Sequence, residues 1–448
     1  MKALRSILTL TALGPSTGCG DATNAGDDAR AGAVLSDALS MPAEPTVALE
    51  RFTAAEVCGH CHPTHYAEWR TSHHAHAMHD PVFRAFVAVR QRDHDGAQDK
   101  FCLQCHSAIG TRGGDIVPGF DFADLEPITL EGVTCESCHR VAALVRPFNS
   151  GHVLDPDGPI RGTIAAPAVS PFHDSQHSPL HATSAFCAGC HDIREVDGLA
   201  LERPFAEWTG SPAAASGVEC QHCHMPTHEG PAAVGGPTRT LHRHTWIGVD
   251  VPLADDLSPA QQAELRAQSR ALLAGAATVT LEAPPAIAAG DLLDLRVTVR
   301  NNIPAHNFPT GSTFNRQAWL ELLVRDGDGD LVFATGTRDA RGDLEPRDAP
   351  ELLSLGSVLL DPRGEPTLFP WRAAAHVSHS LPPLQARELA LRVPTSAAAP
   401  GPLAIEARIL FRAFAPHALR ALGLDAYTDD LEIHEVSRAA IGVELLPP

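Results

Sequence analysis

Basic residues are in short supply: 34 Lys and Arg stand against 54 Asp and Glu in 448 residues, a formal charge of −20. That excludes a protein built to hold nucleic acid, which needs a basic surface. A basic docking partner or plain solubility remains as the use of the charge. Long hydrophobic runs are missing too; no stretch reaches the roughly 18 consecutive apolar residues that mark a membrane-spanning helix. Spare cysteine is missing: ten of the 11 Cys fall into five pairs of one pattern, so no intramolecular disulfide can form and only Cys19 is left over. Methionine (Met1, Met41, Met78, Met225) and tyrosine (Tyr66, Tyr427) are scarce, which narrows the side chains available to any site.

What the chain does hold is C-x-x-C-H, five times: Cys58-Gly-His-Cys61-His62, Cys102-Leu-Gln-Cys105-His106, Cys135-Glu-Ser-Cys138-His139, Cys187-Ala-Gly-Cys190-His191 and Cys220-Gln-His-Cys223-His224. Random placement of 11 Cys and 25 His would give about 0.015 such motifs. Two thiols at that spacing can form thioethers with the two vinyl groups of one porphyrin, and the adjoining histidine can ligate its iron. The expected cofactors are five covalently attached haem c. The cysteines bind them, and His62, His106, His139, His191 and His224 are the proximal iron ligands. A zinc ribbon also uses C-x-x-C pairs, but it has no need of His after every second Cys.

The amino terminus is a short basic region (Lys2, Arg5) followed by a short apolar run, which reads as a secretory signal too short to span a bilayer as a mature helix. Ser16-Thr17-Gly18-Cys19 looks like a bacterial lipobox with Ser16 where Leu is usual, so residues 1–19 are expected to be the signal and Cys19 a lipidated membrane tether. The chain is therefore expected to be exported, to the periplasm or as an outer-membrane-anchored lipoprotein. Residues 20–50, rich in Ala, Gly, Asp and Ser, read as a flexible linker. Residues 51–250 hold all five motifs, too little polypeptide per cofactor for an ordinary apolar core, so porphyrins must fill the interior. Residues 251–275 are the link between domains, with a helix over 258–274 that Ser258, Pro259 and Gln261 begin and Gly275 ends. From 276 the pattern has period two: Leu293, Leu295, Val297 and Val299 alternate with Asp294, Arg296 and Thr298, and similar runs recur at 389–393 and 405–409. Many short strands between Pro and Gly turns predict an Ig-like β-sandwich over 276–448. The fold class expected is thus mixed, a mainly α and irregular multihaem cytochrome c domain followed by a β-sandwich domain.

An internal repeat runs through the motifs. Phe101-Cys102 recurs as Phe186-Cys187, and Gly132-Val133 before Cys135 recurs as Gly217-Val218 before Cys220, both after 85 residues. Two haem pairs of similar internal geometry are expected, with the first motif outside the repeat. Trp69 and Trp208 share an E-W-x-x-S context with Ser72 and Ser211 and are expected to pack against porphyrin edges or core.

The second axial site of each iron decides between relay and catalysis. Met225 adjoins His224 and cannot reach the opposite face, and Met1 and Met41 lie in the signal and linker, so Met78 is the one methionine candidate. Histidine is expected elsewhere. His244 (with His242 as rival), His173 and His152 (with His177 and His181 as alternates) are read as distal candidates. His60 and His222 lie inside attachment loops and cannot cross to the other face.

The run Cys58-Gly-His-Cys61-His62, Tyr66, Glu68-Trp69, Ser72, His74-Ala75 and Ala77 resembles the signature of the cytochrome c-554 type multihaem cytochromes, as do the segments from Gly132 to His139 and from Gly217 to Pro226. That family is similar to a wider group with octahaem hydroxylamine oxidoreductase and pentahaem nitrite reductase. The resemblance covers about residues 51–250. It implies closely stacked haems with mostly two His per iron, and it adds His74 as a distal ligand. The segment from His306 to Gly311 resembles an H-x-x-P-T-G stretch of related proteins with an appended β domain, which adds His306.

The function these features imply is electron transfer between redox protein donors and acceptors, with no catalytic residue assigned. The alternative is an oxidoreductase acting on a small nitrogen or sulfur compound at one open iron. Against it, no motif ends in Lys, and neither Tyr66 nor Tyr427 sits in the context of the haem-bound tyrosine of hydroxylamine oxidoreductases. A third reading makes the β region a partner-binding head.

Overall fold

Short helices begin at or just before most of the cysteine pairs. In the computed structural model, which describes residues 45–447 except 249, 254–255 and 346–350, Ala55–Gly59, Asp99–His106, Cys135–His139, Ser184–Ala188 and Cys220–His224 each carry at least the first cysteine of a motif. Residues three apart share one helix face, so one turn presents both thiols to the same side. Cys19 and Met41 lie outside the described residues. Pro63–Arg70 and Pro81–His94 fill the space between motifs; Asp80 caps the second by accepting from Phe83 N–H (2.9 Å), and Asp95 ends it in the left-handed region. Among the described residues no helix is long and apolar enough to cross a membrane.

Apolar packing in this half is split. One cluster joins Met78, Val87, Leu103, Ile116, Phe120 and Leu125; a second joins Phe52, Ala108, Ile109, Val141 and Leu154. Met78, the methionine weighed as an iron ligand, is fully buried in the first. A cavity of about 1710 Å³ touches the edges of both clusters through Phe83, Cys102 and Phe186.

The helix Pro259–Leu273 starts with the capping box read from sequence: Gln261 N–H donates to Ser258 Oγ (3.4 Å) and Ser258 N–H to Gln261 Oε1 (3.0 Å). Arg270 on this helix pairs with Glu432 at 2.9 Å, which ties the helix to the segment just ahead of the final strand.

Strands then dominate: β1 (Ala277–Glu282), β2 (Ala286–Ala288), β3 (Leu292–Asn301), β4 (Gln317–Arg325), β5 (Leu331–Thr335), β6 (Ala386–Pro394), β7 (Leu403–Arg412) and β8 (His434–Leu446). One sheet has the order β2-β8-β7-β4-β5 and the other β6-β3-β1. Only the β2–β8 pair among these is parallel. Period-two burial along β3 turns Leu293, Leu295, Val297 and Val299 inward, where they meet Leu320, Leu322, Val324, Ile405 and Ile409 of the other sheet in one cluster. A further small sheet at Ser357–Leu360, Pro366–Thr367 and Ala375–Ser378 brings Leu359 and Ala373 against Leu201, which lies on a short hairpin strand after the fourth motif. The β region is thereby packed onto the cavity wall.

Candidate haem-binding site

Four of the five motif histidines are oriented through one ring nitrogen. Nδ1–H donates to a backbone carbonyl from His62 (Ala232, 2.6 Å), His106 (Ala77, 3.1 Å), His139 (Arg161, 2.6 Å) and His224 (Ile247, 2.9 Å). This fixes the tautomer that leaves the Nε2 lone pair free, as a metal-ligating imidazole requires. Burial pushes the pKa of His106, His139 and His224 below the ordinary value, favouring the neutral, ligand-competent ring.

Other imidazoles stand opposite them. Ring centroids lie 6.3 Å apart for His62 and His173, 6.2 Å for His191 and His74, 6.2 Å for His139 and His244, and 6.3 Å for His224 and His306. A metal–nitrogen bond of about 2 Å on each side requires ring centres roughly 6 Å apart. His173, His244 and His306 also direct Nδ1 at a carbonyl, those of Asp174, His242 and Asn307. Burial lowers His74 to about 3 and His306 to about 4.

The remaining candidates point elsewhere. His181 is 6.0 Å from His139, but its Nε2 is bonded to the Cys138 carbonyl (3.0 Å) and its Nδ1 to Ser178 Oγ (2.9 Å), so no nitrogen is left for iron. His152, expected on an iron, is placed differently. Its Nε2–H meets the Phe186 carbonyl (2.7 Å) and its Nδ1 lies 3.8 Å from Cys190 Sγ. The reason is local: the strand His152–Leu154 pairs with Val141–Leu144 and turns the ring toward the fourth attachment helix. Among the described residues no imidazole stands opposite His106; its ring is stacked by Phe83 at 3.7 Å. His242, the rival of His244, gives its Nδ1 to the Met225 carbonyl (2.6 Å).

The thiols also meet across motifs. Cys58 and Cys135, Cys105 and Cys190, and Cys187 and Cys220 are near enough to perturb each other's thiols. Cys138 feels the charge of Cys190. The motifs are therefore adjacent in space as first–third, second–fourth and fourth–fifth, with third and fourth near neighbours.

Gly132 and Gly217 hold positive φ (71° and 69°), a conformation costly for any side chain, and so turn the chain into the third and fifth motifs. The adjoining residues, Val133 and Val218, each accept an indole N–H at 2.8 Å, from Trp69 and Trp208. The packing role expected for these tryptophans is joined by a directed bond that the sequence did not reveal.

The cavity fits porphyrins chemically. All ten motif cysteines and all five motif histidines line it. Among the described residues no three His, Cys, Asp or Glu side chains gather closely enough to hold a bare metal ion. Arg239 and Arg316 also face the cavity, Arg316 buried and attracted by Asp250 and Glu202, and both guanidiniums are of a kind that suits porphyrin carboxylates. Neither was singled out from sequence, because an arginine in a loop or strand carries no local signal of what it faces.

Residues 57–140 match the family model described as cytochrome c554 and c-prime. The solved structure of a penta-haem cytochrome c552 from Thermochromatium tepidum matches with a TM-score of 0.64 at 20% identity, over 89% of this chain and 100% of that one. A CARDB domain from Pyrococcus furiosus matches with a TM-score of 0.18 at 14% identity, over 38% of this chain and 87% of that one, too weak a likeness to weigh. No curated protein matches the chain. The matched family segment spans the first three C-x-x-C-H motifs, and the fold is similar to that of the penta-haem cytochrome c552.

Proposed function

We propose that this protein is an exported pentahaem electron carrier, with four of its haems held between two histidines. The paired imidazoles carry the reading: four motif histidines each have a second ring at 6.2–6.3 Å. His74, His173, His244 and His306 are the distal ligands we assign. Bound haem c supplies the ferric–ferrous couple. The polypeptide's part is to fix the tautomers of His62, His139 and His224 through carbonyls, favour the neutral rings of His74, His139, His224, His244 and His306 by burial, and bring the attachment sites close together. We read residues 51–250 as the haem domain, 251–275 as the link and 276–448 as an Ig-like β-sandwich. Redox protein donors and acceptors are the partners, and Cys19 is the lipid tether.

The environment of His106 supports a second reading, in which one iron has an open coordination site for a small nitrogen or sulfur compound. EPR of the ferric holoprotein, with haem counted by mass, tests both readings. Five haems with four low-spin and one high-spin signal are expected. Five low-spin signals would remove the second reading, and high-spin iron throughout would remove the first.

A further inference from the structure

The E-W-x-x-S repeat takes no part in haem attachment itself. In each copy the tryptophan and the glutamate bond in opposite directions. Trp69 Nε1–H donates to the Val133 carbonyl and Trp208 Nε1–H to the Val218 carbonyl, both at 2.8 Å. Each of those valines stands two residues before the first cysteine of a motif, Cys135 or Cys220. The neighbouring glutamates reach the other side. Glu68 accepts from His244 N–H (2.8 Å) and from Arg243 (2.5 Å). Glu207 accepts from Asn307 N–H (3.1 Å) and from Thr310 Oγ1–H (2.5 Å), and the Asn307 carbonyl in turn accepts from His306 Nδ1–H (2.9 Å).

We propose that Glu68-Trp69 and Glu207-Trp208 are two copies of one clamp that sets the proximal and distal imidazoles of a single haem in register. The first copy acts at His139 and His244, the second at His224 and His306. The inference rests on the axial assignment proposed above. Two neighbouring side chains tie together segments that are far apart in the chain: Glu68 lies 176 residues from His244 and Glu207 lies 100 from Asn307. The sequences around the two distal histidines, Arg243-His244-Thr245 and Ala305-His306-Asn307, share only the histidine, yet each offers a backbone N–H to the same glutamate of the repeat. Common descent of the two segments therefore does not explain the shared bond, whereas a shared task does. The glutamates touch no ring nitrogen that faces iron and are positioning residues. A charged acceptor makes the stronger hydrogen bond, and a metal ligand is held by what its own neighbours are bonded to.

The test uses full-length holoprotein with haem counted by mass. His306→Ala and His244→Ala first assign which low-spin EPR signal and which midpoint potential belong to each haem. Glu207→Ala is expected to move the signal and potential assigned through His306 and to leave those assigned through His244 in place; Glu68→Ala should do the reverse. Glu207→Gln and Glu68→Gln keep an acceptor oxygen and should restore most of the native signal. If Glu207→Ala fails to take up five haems, Trp208→Phe, which removes the indole donor alone, should move the same signal. Unmoved signals in these variants, or equal movement at both haems, would overturn the clamp alone. Absence of any bis-imidazole signal in the unmodified holoprotein would remove the axial assignment and the clamp with it.

Discussion

At the scale of single residues, the nitrogen that an imidazole leaves unbonded separates the proposed iron ligands from bystanders. His74 faces His191, whereas His152 gives its Nε2 to a carbonyl. His74→Ala is expected to convert one low-spin haem to high spin in quantitative EPR, and His152→Ala to leave the low-spin count unchanged. A second expectation concerns charge. Arg90 and Glu195 form an ion pair at 2.7 Å with side chains only 3% and 2% exposed. Burial is the largest single influence and opposes the charge on Arg90, but the hydrogen bonds and charges of Glu195 and Cys102 together outweigh it and the guanidinium pKa is raised. Glu195→Gln strands the cation, and thermal unfolding of the holoprotein should show a loss of about 3–5 kcal/mol. That the motif histidines and cysteines share one cavity was legible in the sequence, because C-x-x-C-H is a local pattern. The distal ones were legible only as a shortlist. His62 and His173 are brought together by the fold across 111 residues, and whether a given ring turns toward iron depends on hairpins such as the one at His152, which have no signature of their own.

At the scale of elements, period and capping were legible, and pairing was not. The alternation along β3 and the capping box at Ser258 are visible in sequence and present in the structure. The parallel pairing of β2 with β8 depends on contacts across more than 140 residues, which no local pattern encodes. Ser258→Ala should cost about 1 kcal/mol in chemical denaturation, the usual loss for an N-cap. The turn Pro370–Arg372 makes a pH-dependent contact. Asp93 accepts from Arg372 Nε (2.6 Å), Arg372 Nη2 (2.8 Å) and Trp371 Nε1 (2.6 Å). The bond to Arg372 holds the Asp93 carboxyl below its ordinary value. A depressed carboxyl contributes above its unfolded pKa and loses that contribution as pH falls through the folded value. Amide hydrogen exchange at residues 371–373 should therefore accelerate, relative to pH-matched Asp93→Asn, as pH falls below about 4, the ordinary carboxyl value.

At the scale of the whole molecule, the two halves differ in what fills them. The β region owns a continuous apolar cluster, while the haem region surrounds a cavity of about 1710 Å³. A void of that size does not persist in a close-packed protein without an occupant. Chain exported without haem attachment should lose its helical circular dichroism and be cleaved by protease within residues 45–242, with the strands of 277–446 protected. Uniform protection of both halves would contradict this. The thiol contacts have a further consequence for layout. The first, third, fourth and fifth motifs follow one another in space, and the second lies beside the fourth, with Cys105 and His106 near Cys190 and Ser150 bridging the Gln104 and Gly189 carbonyls. If the motifs hold haems as proposed, damage at the second would spare passage along the other four, and among the described residues that motif is also the one whose histidine faces no other imidazole.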